Sequence, residues 1–374
     1  MDPHTPLIQG PAEPLRWLRD TLPIWLSVGL ERREGGFVEN LSAKGDALPG
    51  ARRCMVQARQ IYSMRVAGEL GVAGADETRA AIESGARLLT NKFSLPSGAF
   101  RHAIDEAGEP LDETPGLYGQ AFALFGLAEA YSVLEDPALR NRALALVAYL
   151  RRERRAARGG YTELEQGREV FRSNPHMHLF EAALAWVERD ADPAWRELAG
   201  ELLALCLDRF IEPASGLLGE NFTSEWEHER TADARFYWEP GHHCEWSWLL
   251  WRYETLVGGS LAAPRARLYD LAVRHGRDPR RANALIDQVW SDFRPKLRTA
   301  RFWPQCERIK AAVRLGRSGD AHEGVTALFR YFAPSPRGLW FDTWEEDGCF
   351  RETPVKASSL YHIIGGLSEY VKAL

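Results

Sequence analysis

The sequence predicts an all-α protein: an (α/α)6 barrel of six helical hairpins, with short β-hairpins or loops gathered at one end. Three observations predict it. Turn-rich stretches recur along the chain, segments of helical periodicity lie between them, and units of about 60 residues account for all 374. Self-similarity at a fixed spacing is the mark of an architecture built from repeated units.

The turn stretches are "GGFVENLSAKGDALPG", "SGAFRHAIDEAGEPL", "GGYTELEQGREVF", "SGLLGENFTSEWEH" and "RGLWFDTWEEDGCF". Each opens on glycine and an aromatic or apolar residue, and three cross a second turn at Gly45, Gly108 and Gly348. The opening glycines are Gly36, Gly98, Gly160, Gly216 and Gly338. The first two intervals are 62 residues, the next is 56, and the last is 122, about twice the unit. A degenerate member is therefore expected near Gly276, in "RHGRDPRRANALID".

Between the turns, Leu117–Leu134 places Ala121, Leu124, Phe125, Ala128 and Tyr131 at the i, i+3, i+4 spacing of one helix face. "NRALALVAYLRRERR" predicts a second helix after the "EDPAL" break, and the charged run Arg151–Gly160 reads as a solvated helix end. "MHLFEAALAWVERD" and "WRELAGELLALCLDRFI" form another such pair. Each unit is helix, short loop, helix, extended hairpin. Such units close into a ring or stack as an open solenoid. Terminal units without unusually polar caps favour closure, so residues 1–374 are expected to form one barrel domain.

Composition narrows the function. The chain is 45% hydrophobic and 26% charged, an ordinary globular balance. A formal charge of −5 with no uncompensated basic block argues against a nucleic-acid partner. No apolar run approaches the roughly 20 residues that span a bilayer. The start "MDPHTPLIQG" lacks the basic and apolar regions of a leader. Five scattered cysteines form no C-x-x-C pair, so neither a disulfide framework nor a zinc knuckle is indicated, and a reducing cytoplasm is the expected home. Thirteen tryptophans are core or sugar-stacking faces; exposed ones would mark a homodimer surface.

Three places break the apolar pattern with titratable groups at the start of predicted helices. They are "SNPHMHLFEAAL" with Asn174, His176, His178 and Glu181, "GHHCEWSWLL" with His242, His243 and Glu245, and "KASSLYHIIGGLSEY" with His362. An unpaired polar group costs a few kcal/mol to bury, so such groups need a reason. One such histidine is more often a hydrogen-bonded core residue than a catalyst. Three, in three separate units of a ring, would converge on one cavity. Residues three apart share a helix face, which groups His178 with Glu181 and His242 with Glu245; His176 and His243 are expected to face away. A metal is the rival use of these groups, but no H-E-x-x-H is present, and neither metal nor cofactor is expected. Arg59 in "MVQARQIYSM" could hold a hydroxyl or oxyanion, or form a buried ion pair. "RFWPQCERI" adds Trp303, as sugar platform or core, and Glu307.

Together "QARQIYSM", "NPHMHLFEAALAW", "WEPGHHCEWSWLL", "FWPQCE" and "SSLYHIIGGLSEY" resemble the N-acylglucosamine 2-epimerase superfamily, from about Trp17 to the C-terminus. The combination M-H-L, P-G-H-x-x-E and L-Y-H carries the resemblance. It implies an (α/α)6 barrel acting on a monosaccharide without cofactor. It implies that His242 and His362 are the acid/base pair, with His178, Glu245, Arg59, Asn174, Tyr118, Trp303 and Glu307 lining the pocket or tuning that pair. Glu245 is expected to fix the tautomer of His242. "SSLYHI" with "GLWFDTWEEDG" upstream looks most like the mannose isomerase branch. The implied reaction interconverts D-mannose and D-fructose, with D-lyxose and D-xylulose as a side pair, through a cis-enediolate. The alternative is a 2-epimerase, since two histidines also permit proton return to the other face of C2. A glycoside hydrolase using Glu245 and Glu307 and a non-catalytic sugar binder are further rivals.

Overall fold

Among the described residues, the long connections lie at one end of the molecule and the short ones at the other. A computed structural model describes residue 10 and residues 12–332 and 337–374. Apart from Gly10, the opening stretch read above for a leader lies outside the described residues. Twelve α-helices are present among the described residues. Six form the outer set: α1 (Ala12–Ser27), α3 (Ala75–Leu88), α5 (Pro137–Tyr149), α7 (Pro193–Leu205), α9 (Ala262–Gly276) and α11 (Ser318–Arg330). Six form the inner set: α2 (Cys54–Glu69), α4 (Leu117–Leu134), α6 (Ser173–Val187), α8 (Pro240–Leu256), α10 (Trp303–Arg314) and α12 (Leu360–Lys372). Each inner helix packs on the next, and α12 packs on α2, so the ring is closed rather than an open solenoid.

Local chemistry sets the boundaries. Asp136 and Asp192 cap α5 and α7 by accepting from the backbone N–H two residues on, with Pro137 and Pro193 in the first helical position. Proline suits that place because its missing N–H would have no partner there. Helix α4 spans the predicted Leu117–Leu134, but its reading as one apolar face needs correction. Its residues are buried on nearly all sides from Gln120 to Ala130, because neighbours in the ring and outer helices behind enclose it.

The loops form a crown stitched by short antiparallel pairs. Arg52–Arg53 pairs with Ala103–Ile104, Tyr237–Trp238 with Val289–Trp290, and Ala300–Arg301 with Thr343–Trp344. Asn40–Leu41 pairs with Val355–Lys356, which joins the first crown loop to the last.

The turn repeat has a physical basis. The opening glycines all have positive φ. At Gly36, with φ +78°, a Cβ would also meet Leu88 at 2.4 Å and Gln57 at 2.5 Å. The degenerate member lies within the expected stretch, at Asn283, φ +57°, rather than at Gly276 itself, which closes helix α9. Asparagine tolerates the left-handed region better than most residues, so it replaces glycine there.

A second repeat lies in the inner helices. The side chains of Gln57, Gln120 and Gln305 each clamp one crown residue, accepting its N–H and donating to its C=O, at Phe37, Phe100 and Leu285. His176 and His243 stand in the corresponding places. Their Nε2 atoms accept from Tyr161 N at 2.9 Å and Leu218 N at 3.2 Å. Burial holds them near pKa 4 and 3, so they stay neutral and can accept. Neither lines the central cavity.

Arg151 and Arg155 pair with Glu197 and Glu201 at the surface. Arg154, in the same run, is buried and donates to Thr162 O, which corrects the reading of that run as wholly solvated. All thirteen tryptophans are buried or half-buried, so none marks an exposed homodimer face. No helix among the described residues is long and apolar enough to cross a membrane.

Candidate active site

The inner helices begin at the crown, so their first turns surround one central cavity of about 240 Å³. It is lined by Arg59, Tyr118, Asn174, His178, His242, Glu245, Trp303 and His362, which come from all six inner helices, and by Glu239, Arg301, Asp342 and Lys356 from the crown. Glu307 is the one expected site residue that does not line it; fully buried, it sits behind His362.

Gly241 makes the arrangement possible. A Cβ there would meet the Trp303 indole at 2.4 Å, so only glycine lets the ring lie against the start of α8. The indole lies beside both imidazoles, with centroids 5.1 Å from His242 and 5.6 Å from His362.

Each of these histidines is held through Nδ1, which leaves Nε2 as its other ring nitrogen. His242 Nδ1 is 2.9 Å from Glu220 Oε2 and 3.8 Å from Glu239 Oε2. Burial opposes its protonation, but Glu220 and Glu239 outweigh burial and raise its pKa to about 9. His362 Nδ1 is 2.8 Å from Glu307 Oε1. Here burial, reinforced by Arg59 and Lys310, holds the imidazole well below its ordinary value. At neutral pH the first ring is charged and the second neutral.

Glu245 does not fix His242, contrary to the expectation from their spacing. Glu220, on the crown loop preceding α8, reaches Nδ1 instead, and Glu245 lies 3.8 Å from His178 Nδ1. Burial and the neighbouring Glu307 push Glu245 well above the carboxylate range, so it is a neutral acid. Its Oε1 has no hydrogen-bond partner in the protein. His178 is held near pKa 4 by burial, with Nδ1 3.3 Å from Glu181, which also accepts from Tyr361 Oη.

Sequence reasoning missed Glu220, although a signal existed. An acid stands two residues after the clamped crown residue at Glu39, Glu163, Glu220 and Asp287. Glu39, Glu220 and Asp287 each accept the backbone N–H of a residue leading into the next inner helix: Arg53, Glu239 and Arg301. In the fourth unit that structural acid also reaches a histidine.

Arg59 makes no ion pair among the described residues. It donates to Tyr118 Oη at 2.7 Å and Ser358 O at 3.3 Å, with its guanidinium 4.3 Å from the Phe122 ring centre. Asn174 Oδ1 and Arg59 Nε are buried without a hydrogen-bond partner in the protein. Buried polar atoms without partners are uncommon, and at a cavity wall they suit a ligand's hydroxyls. Donor atoms of Glu245, Glu307 and His362 lie within 4.8 Å of one another, as do those of His178, Glu181 and Glu245. In the first set the Lys310 ammonium already lies 2.7 Å from Glu307 Oε2 and balances that carboxylate, which does not suit a metal ion there.

Residues 35–366 match the model of the N-acylglucosamine 2-epimerase family. The chain belongs to that family and is a sugar isomerase or epimerase. It is 35% identical over 369 residues to a mannose-6-phosphate isomerase of Rhizobium meliloti (strain 1021), covering 94% of each chain. It is 28% identical over 298 residues to a D-mannose isomerase of Thermobifida fusca, covering 72% of each. A solved D-mannose isomerase shares the fold with a TM-score of 0.88 at 19% identity, over 99% of this chain and 100% of that one.

Proposed function

We propose that residues 1–374 form one catalytic domain that interconverts D-mannose and D-fructose, with D-lyxose and D-xylulose as a side pair. The observation that carries this reading is the pair His242 and His362 on one cavity, each with Nδ1 against a buried glutamate and both beside the Trp303 indole. In the open-chain aldose, His362 Nε2 removes the C2 proton, and the C–H electron pair becomes the C1–C2 double bond. His242 donates a proton to O1 as charge grows there. It then takes the O2 proton while His362 returns its proton to C1, giving the ketose. A base of pKa below the working pH and an acid above it suit these two tasks. Histidine supplies both without a metal. The first turns of the inner helices point their positive ends at the cavity, which favours the enediolate.

The cations at the mouth favour a neutral sugar over a phosphorylated one. Arg301 is 3.1 Å from Asp287 and 3.2 Å from Glu239, and Lys356 is 3.1 Å from Asp342. Each is already balanced by a carboxylate. The hydrolase reading is disfavoured because Glu307 does not line the cavity and holds His362 and Lys310 instead. A 2-epimerase remains the second reading, since two acid/base groups on one cavity also permit proton return to C2. All five cysteines are free, which suits a reducing cytoplasm. The test is a panel of free and phosphorylated aldoses read by NMR for ketose formation and C2 inversion. Fructose from mannose supports the proposal, and glucose as the dominant product replaces it with the second reading.

A further inference from the structure

The protein contains the same device twice, a histidine whose Nδ1 rests on a buried glutamate, yet the two glutamates differ in what else they touch. The difference lies on the far oxygen of each carboxylate. Glu307 Oε1 holds His362 at 2.8 Å, and its Oε2 lies 2.7 Å from Lys310 Nζ. Glu220 Oε2 holds His242 at 2.9 Å, and its Oε1 accepts the neutral Glu239 N–H at 3.1 Å. No lysine or arginine pairs with Glu220 among the described residues.

We propose that Lys310 is a positioning residue that makes the two pairs unlike: its ammonium neutralises Glu307, so His362 faces a balanced ion pair where His242 faces a bare carboxylate. This rests on the proposed roles of the two histidines. A buried ammonium is costly unless it is paired and satisfied. Lys310 is 3% exposed, one turn along α10 from Glu307, and its Nζ lies 3.7 Å from the ring centre of Trp248. Glu307, in direct contact, and Glu181 keep it charged against burial.

The other charged groups around His362 do not replace it. Arg59, on α2, opposes protonation from the cavity side more strongly than Lys310 does, but it makes no ion pair with Glu307. Glu181 on α6 favours protonation, but it is engaged by His178 and Tyr361. Glu245 on α8 is held neutral, and His178 is held neutral by burial. His242 lines the same cavity, as do Lys356 and Asp342, which pair with each other. Lys310 alone among these groups touches the carboxylate that holds the ring.

The test is an NMR titration of the full chain carrying 15N-labelled histidine, for wild type and Lys310→Met, with the pH profile of kcat/KM beside it. In wild type at pH 7, His362 is expected to be neutral with its proton on Nδ1, and His242 charged. Lys310→Met is expected to raise the His362 midpoint by about one pH unit or more and to move the acid limb of the profile with it. One unit is about a tenfold loss of neutral imidazole well below the midpoint. A folded Lys310→Met with an unmoved His362 midpoint and acid limb overturns the proposal. Should that variant not fold, the wild-type titration decides, because a His362 charged at pH 7 overturns the proposal as well. Failure of the functional reading looks different: the titrations come out as expected while no aldose turns over.

Discussion

His242 and His362, 120 residues apart in the chain, lie against the same indole, 5.1 and 5.6 Å from the centre of Trp303. Their carboxylate partners come from different places, a crown loop for His242 and an inner helix for His362. That asymmetry is what the proposed acid and base require.

Activity should follow a bell-shaped pH profile. It needs His362 neutral and His242 charged, so the alkaline limb is set by His242, near pH 9. Measuring kcat/KM from pH 5 to 10 checks this, and a single limb near pH 6.5 would contradict it.

Glu220→Gln should move that alkaline limb down. Without the carboxylate, burial lowers the His242 pKa, and the loss of activity at pH 8 should be about tenfold to a hundredfold. The linked stability follows the same sign. A histidine whose folded pKa is raised stabilises the fold fully below pH 6.5, and that contribution disappears as pH rises through about 9. Melting curves of Glu220→Gln should therefore differ from wild type more at pH 6 than at pH 10.

His176 and His243 should tolerate glutamine but not alanine. Three other units use Gln57, Gln120 and Gln305 for the same clamp. Alanine leaves a buried N–H without a partner and should cost about 1–3 kcal/mol in denaturant titrations. Equal losses for both substitutions would deny the equivalence.

Asp342→Asn should raise kcat/KM for mannose 6-phosphate relative to mannose by several-fold, because it releases Lys356 from its carboxylate. Steady-state assays on both sugars decide it, and an unchanged ratio would show that this pair does not govern discrimination.

Much of this was legible in the sequence, for reasons that local chemistry explains. Opening glycines survive as a visible period because positive φ excludes most other residues, and Asn283 hid one member by being the common substitute. The bounds of α4 were readable because Gly116 and the turn at Glu135 flank a predominantly apolar run. Its burial on all sides was not, since a ring encloses a helix that periodicity treats as having one dry face. Glu245 shares a helix with His242, so spacing paired them, whereas the actual partner, Glu220, lies on a loop whose path only tertiary structure supplies. Lys310 was equally hidden, being one charge among 47 lysines and arginines until its burial was known.

The most direct test of the central claim is incubation with D-mannose in D2O, followed by NMR, for wild type and His362→Asn. The account predicts fructose carrying deuterium at C1 from wild type and a loss of about a hundredfold or more in the folded variant. Undiminished conversion by His362→Asn would contradict it.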